Sequence, residues 1–174
     1  MTVIFRKKEK GQILIESMIA IGIITFGIMG VFTLLSQSLS LNRVVSDQFT
    51  ASFLASEGIE VTKNLIDGNT LQGLAWNHSF TTDSCYEVDY QSVYIDVKPV
   101  DCSNSVASGD FIKYDAPTGR YGYDAGTPTS FRRKIHITPV GSDQIQVNSI
   151  VNWTTRGNAS FSLNLEDRFY NWRP

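Results

Sequence analysis

The hydrophobic and polar positions divide the chain into an N-terminal part with helical periodicity and a C-terminal part with strand alternation. After Gly11 an apolar run extends to Leu35, and no residue between Ser17 and Asn42 carries a formal charge. An apolar run of more than about 18 residues is long enough to cross the hydrocarbon core of a bilayer as a helix. The pattern therefore predicts a transmembrane segment at about residues 13–35.

Helical periodicity continues beyond this segment. Apolar residues recur at three- and four-residue steps up to Ile66, with charged residues between them. We predict a single helix over about residues 12–66, ended by Asp67-Gly68-Asn69, where a glycine is available for a left-handed cap. In the loop that follows, Trp76 and Phe80 are expected to cover the helix. The second half of the helix presents an apolar stripe, which comprises Leu39, Leu41, Val44, Val45, Phe49, Phe53, Leu54, Ile59, Val61, Leu65 and Ile66.

The last third of the chain alternates between apolar and polar residues, as strands do. A strand over residues 131–138 is followed by a turn at Gly141-Ser142-Asp143, and a second turn at Arg156-Gly157-Asn158 leads into a further strand. One face of the meander is apolar and contains Ile145, Val147, Val151, Trp153, Phe161, Leu163 and Leu165. That face needs a cover, and the stripe of the long helix is available. The expected fold class is α+β, with a long N-terminal helical spine packed on a small antiparallel sheet.

The middle of the chain carries weaker strand signals. Residues 93–97 alternate as a half-buried strand, and residues 86–90 are its expected hairpin partner. Between residues 101 and 128 the composition turns to Ser, Gly, Asp, Asn and Pro, which is typical of surface loops. Within this stretch we predict a short edge strand at residues 111–114.

Charge and length set the orientation and the number of domains. The apolar run is preceded by four cationic residues, Arg6, Lys7, Lys8 and Lys10. Positive charges flanking a span stay in the cytoplasm, so we expect a cytoplasmic N-terminus and an exported head. With 174 residues the chain has room for the anchor and one domain of about 110 residues. The formal net charge of −2 argues against general nucleic-acid binding.

Cys85 and Cys102 are the only cysteines. Both lie on the side expected to be exported, where disulfides persist, and the loop between them is polar. We predict a disulfide, which would contribute about 3 kcal/mol in the chain-entropy model. Two free thiols are the alternative, and a metal site is not favoured because the two histidines are not closely spaced with them.

The N-terminal residues resemble a known targeting signal. A basic leader, then Gly11, then an apolar stretch whose fifth residue is Glu16 is similar to the class III signal of type IV pilins and type II secretion pseudopilins. The resemblance implies that a prepilin peptidase cleaves after Gly11 and methylates the new N-terminus, Gln12. It also implies that Glu16 docks subunits in a filament. The sequence departs from the family at Gln12, since that position is most often phenylalanine.

The same resemblance implies the domains, partners and location of the chain. The expected domains are a leader over residues 1–11, a helix over 12–66 and an exported β-rich head over 67–174. The expected partners are the peptidase, other pilin or pseudopilin subunits, an inner-membrane assembly platform and membrane lipid. The chain would be a single-pass protein of the cytoplasmic membrane that enters a periplasmic or cell-surface filament. The segment Ala51–Leu65 resembles the extramembrane half-helix of minor pilins of the PilV type and of minor pseudopilin I.

The N-terminus has two other interpretations. An ordinary secretory signal would be cut near Ser36-Gln37-Ser38, but its apolar core is typically only about 7–15 residues long. An uncleaved anchor for an unrelated domain explains the span and the orientation. Neither interpretation explains Glu16, since a carboxylate at the edge of a membrane helix is costly and tends to mark a function.

The sequence carries no motif that indicates an enzyme or a cofactor. No nucleophile elbow, phosphate-binding glycine loop or zinc-binding HExxH helix is present, and we interpret neither His78 nor His136 as catalytic. Three groups have structural interpretations that we favour over ligand binding. They are a solvated basic strand face at Arg132, Arg133 and Lys134, surface acids at Asp110, Asp115 and Asp124, and loop-packing aromatics at Phe111, Tyr114, Tyr121 and Tyr123.

Two function classes remain at this point. The first is a structural subunit, a minor pilin or pseudopilin that inserts its helix into a bundle of like subunits. The second is a membrane-tethered exported domain for binding or adhesion, acting outside a filament. Glu16 and the junction after Gly11 favour the first class, because only filament assembly requires both.

Overall fold

A computed structural model describes residues 9–78, 80, 82–92, 98–102, 109–155 and 157–172. It confirms the α+β fold class: one long N-terminal helix and an antiparallel sheet, with the second half of the helix packed on the sheet. The elements in chain order are α1 (Glu9–Leu71), β1 (Ser84–Glu87), β2 (Lys98–Val100), β3 (Phe111–Asp115), β4 (Arg120–Gly122), β5 (Thr127–Val140), β6 (Gln144–Thr154) and β7 (Ser160–Tyr170). The chain divides into two compact units, residues up to Ser46 and residues from Asp47 onward.

Helix α1 runs further than the sequence suggested. The predicted stop at Asp67-Gly68-Asn69 is wrong, because these residues are helical and the helix ends at Leu71. Gly73 takes the left-handed conformation instead, with φ of 72°. Its N–H donates to the carbonyl of Thr70 at 3.1 Å, and the N–H of Leu74 donates to the carbonyl of Asn69 at 3.0 Å. These two bonds form a Schellman cap, which satisfies carbonyls that the helix end would otherwise leave unpaired.

Strand β5 is the centre of the sheet. One of its edges pairs with β6 over ten positions, and β6 pairs with β7 over eleven. The other edge is shared by two hairpins: β1, which pairs with β2, lies against one part of it, and β3, which pairs with β4, lies against another. Every pair is antiparallel, so the predicted meander of the last three strands is confirmed.

The weaker strand predictions had mixed outcomes. A strand does form at Phe111–Asp115, but it lies between β4 and β5 rather than at an edge of the sheet. The predicted hairpin partner over residues 86–90 is wrong in its bounds: β1 covers Ser84–Glu87, residues 88–90 are not in a strand, and β1 pairs with β2 at Lys98–Val100. The strand expected over residues 93–97 lies outside the described residues.

The core lies between the second half of α1 and one face of the sheet. It comprises two clusters. The first contains Ile59, Val61, Leu65, Ile66, Phe80, Val88, Ile135, Ile137, Ile145 and Val147, and the second contains Ala51, Leu54, Ala55, Ile112, Phe131, Val151 and Trp153. Phe80 is buried and Trp76 packs against the first cluster, so their predicted covering role is confirmed.

The face of α1 that contacts the sheet contains fewer and smaller side chains than predicted. Phe49 and Phe53, assigned to the buried stripe from their apolar character, are 63% and 74% exposed. The sheet instead receives small residues of α1, including Gly58, where an added Cβ would lie 2.6 Å from side-chain atoms of Ile135 and Ser149. A close helix–sheet approach favours small residues at the contact, because large side chains would overpack it.

Arg133 corrects the prediction that residues 132–134 form a solvated basic face. It is only 2% exposed, because its position in β5 points toward the core side of the sheet. Its guanidinium donates to the carbonyl of Leu54 in α1 at 2.7 Å, to the carbonyl of Val88 at 2.6 Å and to the carboxylate of Glu57 at 3.1 Å. One buried cation therefore joins the helix, the sheet and the segment after β1.

The neighbours of Arg133 in β5 occupy the opposite face, and neither is simply solvated. The guanidinium of Arg132 lies 3.9 Å from the ring centroid of Phe111 and donates to the carbonyl of Gly109 at 2.6 Å. Lys134 is also only 2% exposed, and burial lowers its pKa while nearby Asp101 opposes the shift. The three basic residues therefore lie in two packed environments: Arg133 is on the core face of β5, and Arg132 and Lys134 are on the opposite face.

We expect Arg133→Ala to lower the free energy of unfolding of the head by about 3 kcal/mol or more, because it removes the partner of buried acceptors. The measurement is urea unfolding of the detergent-solubilised chain, followed by tryptophan fluorescence. The control is Arg168→Ala, since Arg168 is exposed and its ion pair with Glu166 should contribute no more than about 1 kcal/mol. Equal losses in the two variants would contradict the role given to Arg133.

Candidate functional site

The residues of the predicted signal lie on the exposed first part of α1. Gly11, Gln12 and Glu16 are all helical and exposed. Gln12 and Glu16 are four residues apart, and side chains at this spacing are neighbours on one helix face. The fold thus places the predicted docking carboxylate one turn from the residue predicted to become the N-terminus.

The apolar run after Glu16 forms a helix that is long and apolar enough to cross a membrane. No residue of its most apolar stretch is buried in the isolated chain. Hydroxyl groups within the run bond to carbonyls of the same helix: Thr33 donates to Met29 at 3.0 Å, and Thr25 to Gly22 at 3.1 Å. These hydroxyls consequently need no partner from lipid, which could not supply one.

Cys85 and Cys102 form the predicted disulfide. The sulfur atoms are bonded, and the Cα atoms lie 5.3 Å apart. Cys85 lies in β1 and is buried, whereas Cys102 follows β2 and is exposed. The bond closes the β1–β2 hairpin and fixes the segment after β2 to the sheet.

His136 lies beside this disulfide, a placement that the sequence did not indicate. The register of β1 on β5 sets His136 opposite Cys85. Its Nε2 is 2.6 Å from Oδ1 of Asp83, and the hydroxyl of Thr138 donates to the same oxygen at 3.2 Å. The hydrogen bond from His136 is the main cause that lowers the pKa of the exposed Asp83 carboxyl.

This arrangement also brings His136 near two sulfurs. Ligand atoms of Cys85, Cys102 and His136 lie within 4.8 Å of one another, the single such group found among the described residues. Because the sulfurs are bonded to each other, neither is the thiolate that a zinc ion requires. In the oxidised chain the cluster is a disulfide with a neighbouring hydrogen-bonded histidine.

The other candidate ligand groups are held by local contacts. Asp115 accepts a hydrogen bond from Thr118 at 2.6 Å, and the backbone carbonyl of Asp124 accepts one from the Lys113 ammonium at 3.1 Å. The third acid of this set, Asp110, donates its backbone N–H to the carboxylate of Glu87. The carboxylate of Asp115 is therefore used in a turn, whereas the contacts of Asp110 and Asp124 are made by their backbone.

The loop aromatics pack into the head. Tyr121 and Tyr123 contact the second core cluster, and the rings of Tyr114 and Tyr121 lie 5.1 Å apart. The hydroxyl of Tyr123 donates to the carbonyl of Arg133 at 3.1 Å, and burial raises its pKa to about 12. The packing interpretation is confirmed for Tyr121 and Tyr123, whereas Phe111 and Tyr114 are exposed.

Compared with protein-family models, curated protein sequences and solved structures, the chain matches none of them. The fold of the chain is therefore what indicates its architectural class. A long N-terminal apolar helix, continued into a half that packs on an antiparallel sheet, is a pilin-like architecture.

We expect His136→Phe to raise the pKa of Asp83 toward its ordinary value of 3.8, since the main hydrogen bond to the carboxylate is lost. The measurement is the carboxyl ¹³C shift of Asp83 as a function of pH. A carboxyl group whose pKa is lowered by folding stabilises the fold at pH values above its ordinary pKa, and this stabilisation is lost as the pH falls through the lowered pKa. The free energy of unfolding of the variant should therefore depend less on pH below about 4. The control is His78→Phe, and an unchanged Asp83 titration in His136→Phe would contradict the assignment.

Proposed function

We propose that the chain is a minor structural subunit, a minor pilin or pseudopilin, of a type IV filament. The observation that carries the proposal is the four-residue spacing that places Gln12 and Glu16 on one face of an exposed apolar helix that continues into a folded head. An anchor that merely tethers a domain does not need a carboxylate at that position. The proposal thus explains the one charged residue in a segment where charge is costly.

Processing would create the second partner of the docking contact. Cleavage after Gly11 by a prepilin peptidase gives a new amine at Gln12, which the peptidase then methylates. Glu16 lies one turn away in the same chain, and in a bundle it can meet the amine of a neighbouring subunit. Opposite charges in a dry interface attract strongly, and removing one partner of a buried pair costs about 3–5 kcal/mol.

The ion pair would also set the register of the bundle. Apolar helices in lipid associate through packing alone, which leaves their axial positions weakly specified. A charged pair at a fixed height favours one register over those in which the carboxylate is unpaired. In this proposal the apolar run supplies the contact area, and Glu16 supplies the position along the filament axis.

The proposed location follows from the same arrangement. The chain is held in the cytoplasmic membrane with its basic N-terminus in the cytoplasm, and the disulfide-containing head is exported. From there an inner-membrane assembly platform would move it into the filament together with other pilin-like subunits.

We expect coexpression with a prepilin peptidase to shorten the chain so that it begins at Gln12, and Gly11→Val to block this cleavage. The valine removes the small residue at the scissile bond without disturbing any packed contact of Gly11. N-terminal sequencing and intact mass measure the outcome. The matched control is Gly22→Val, another helical glycine with open space around it, which should be cleaved normally. An intact N-terminus in the presence of an active peptidase would refute the proposal.

We expect Glu16→Ala to leave membrane insertion, cleavage and folding of the head intact but to reduce incorporation into filaments at least tenfold, because about 3–5 kcal/mol of docking energy is lost. The measurement is the ratio of the chain in sheared filaments to the chain in the membrane. Glu60→Ala removes an exposed carboxylate from the head half of α1 and should incorporate normally. Normal incorporation of Glu16→Ala would rule out Glu16 as the docking residue.

A further inference from the structure

The head contains a cleft of about 350 Å³ between the end of helix α1 and the end of strand β7. Its size falls within the range of small-molecule sites. The lining includes three aromatic residues and several polar groups. The residues that bear on its chemistry are Asp67, Thr70, Trp76, Tyr170, Asn171 and Trp172.

Backbone and side-chain hydrogen bonds frame this cleft on both sides. On the helix side, the cap at Gly73 turns the chain back, and the amide of Asn69 donates to the carbonyl of Trp76 at 3.4 Å. On the strand side, the N–H of Asn171 donates to the carbonyl of Asp143 at 2.8 Å. The cleft is therefore part of the folded head, bounded by a helix terminus and the end of a sheet strand.

Among the described residues that line the cleft, the only charged side chain is negative. Asp67 contributes a carboxylate, and the C-terminal end of α1 contributes about half of a negative elementary charge. The last turn of α1 holds no basic residue, and no lysine, arginine or histidine is among the residues that line the cleft in the described part of the chain. An anion would be repelled here, and a cation would be attracted.

The aromatic side chains favour one kind of cation. Trp76, Tyr170 and Trp172 line the cleft. The negative faces of aromatic rings attract organic cations, and tryptophan is the best of the aromatic residues. A hard metal ion is disfavoured, because Ca²⁺ takes 6–8 oxygen ligands and the lining offers one carboxylate. A neutral sugar would stack on the rings but would not use the negative charge.

We propose that this cleft binds a small organic cation with a trimethylammonium group, such as choline. The methylated ammonium lies against the aromatic rings, and the carboxylate of Asp67 together with the helix terminus balances its charge. This site is in the head and is independent of the docking of the N-terminal helix. It gives the head a ligand-binding role in addition to filament assembly.

The test is a choline titration of the full-length chain, purified in a polyoxyethylene ether detergent that carries neither an ammonium group nor a sugar. Binding is followed by tryptophan fluorescence and isothermal calorimetry. We expect saturable binding with a dissociation constant on the order of 1 mM, a weak but measurable affinity. The neutral isostere 3,3-dimethyl-1-butanol should bind at least tenfold more weakly. Absence of saturable choline binding, or equal binding of the isostere, would overturn the proposal.

Matched variants separate the charge from the ring surface. Asp67→Asn should weaken choline binding about tenfold, and Glu60→Gln, which removes an exposed carboxylate elsewhere on α1, should leave it unchanged. Trp172→Leu keeps an apolar side chain but removes the ring, and we expect at least a fivefold loss. Phe53→Leu removes an exposed ring outside the cleft and is its control. Circular dichroism and thermal melting show that each variant is folded, and unchanged binding by folded Asp67→Asn or Trp172→Leu would contradict the proposed site.

Two further ligands distinguish the sources of the same chemistry. Glycerophosphocholine is the soluble headgroup of a choline lipid, and its phosphodiester should be repelled by Asp67, so we expect it to bind more weakly than choline. Tighter binding of glycerophosphocholine would overturn the assignment to a free cation. A neutral disaccharide should not bind, and saturable binding of the disaccharide without choline binding would make the cleft a sugar site instead.

Discussion

The head depends on the contact between the second half of α1 and strand β5. Two features bring the helix close to the sheet: a face of small residues, in which Gly58 nearly touches Ile135, and the buried guanidinium of Arg133. A buried charge is costly unless its donors are bonded, and here the two terminal nitrogens of the guanidinium bond to acceptors in α1 and after β1, while Nε has no partner among the described residues. These acceptors come from segments far apart in sequence, so the charge also specifies how those segments are arranged. An apolar side chain in its place would fill the space without selecting that arrangement.

The two parts of the single helix have different surfaces. In its first part nearly every apolar side chain is exposed and the hydroxyls bond to their own backbone, which suits a segment surrounded by lipid or by similar helices. In its second part the exposed and buried faces differ, and the buried face is matched to a sheet. No proline or loop interrupts α1 between Glu9 and Leu71.

Local patterns were enough to predict the helix, the last three strands and the disulfide, because each depends on periodicity or on residues close in sequence. The burial of Arg133 was not predictable in this way, since its neighbours Arg132 and Lys134 made the segment look like a solvated face. The burial of Arg133 depends on the face of β5 that its side chain occupies and on carbonyls supplied by segments distant in sequence.

The wrong choice of Phe49 and Phe53 as buried residues has a similar cause: residue hydrophobicity does not reveal how closely two elements approach. To predict the pairing of His136 with Asp83, one must know the register of β1 on β5, which is a long-range property. To predict the aromatic cleft, one must know that the end of α1 lies near the end of β7.

The exposed phenylalanines have a consequence for any attempt to detach the head from its anchor. Phe49 and Phe53 face outward, while Ala51, which lies between them in sequence, and Leu54, which follows Phe53, are buried in the core. Cutting the helix after Phe53 would remove Ala51 from the core, whereas cutting it before Phe49 keeps two exposed rings on a water-soluble fragment. Such a fragment would tend to self-associate through these rings. A soluble head that begins before Phe49 therefore needs polar replacements at both phenylalanines.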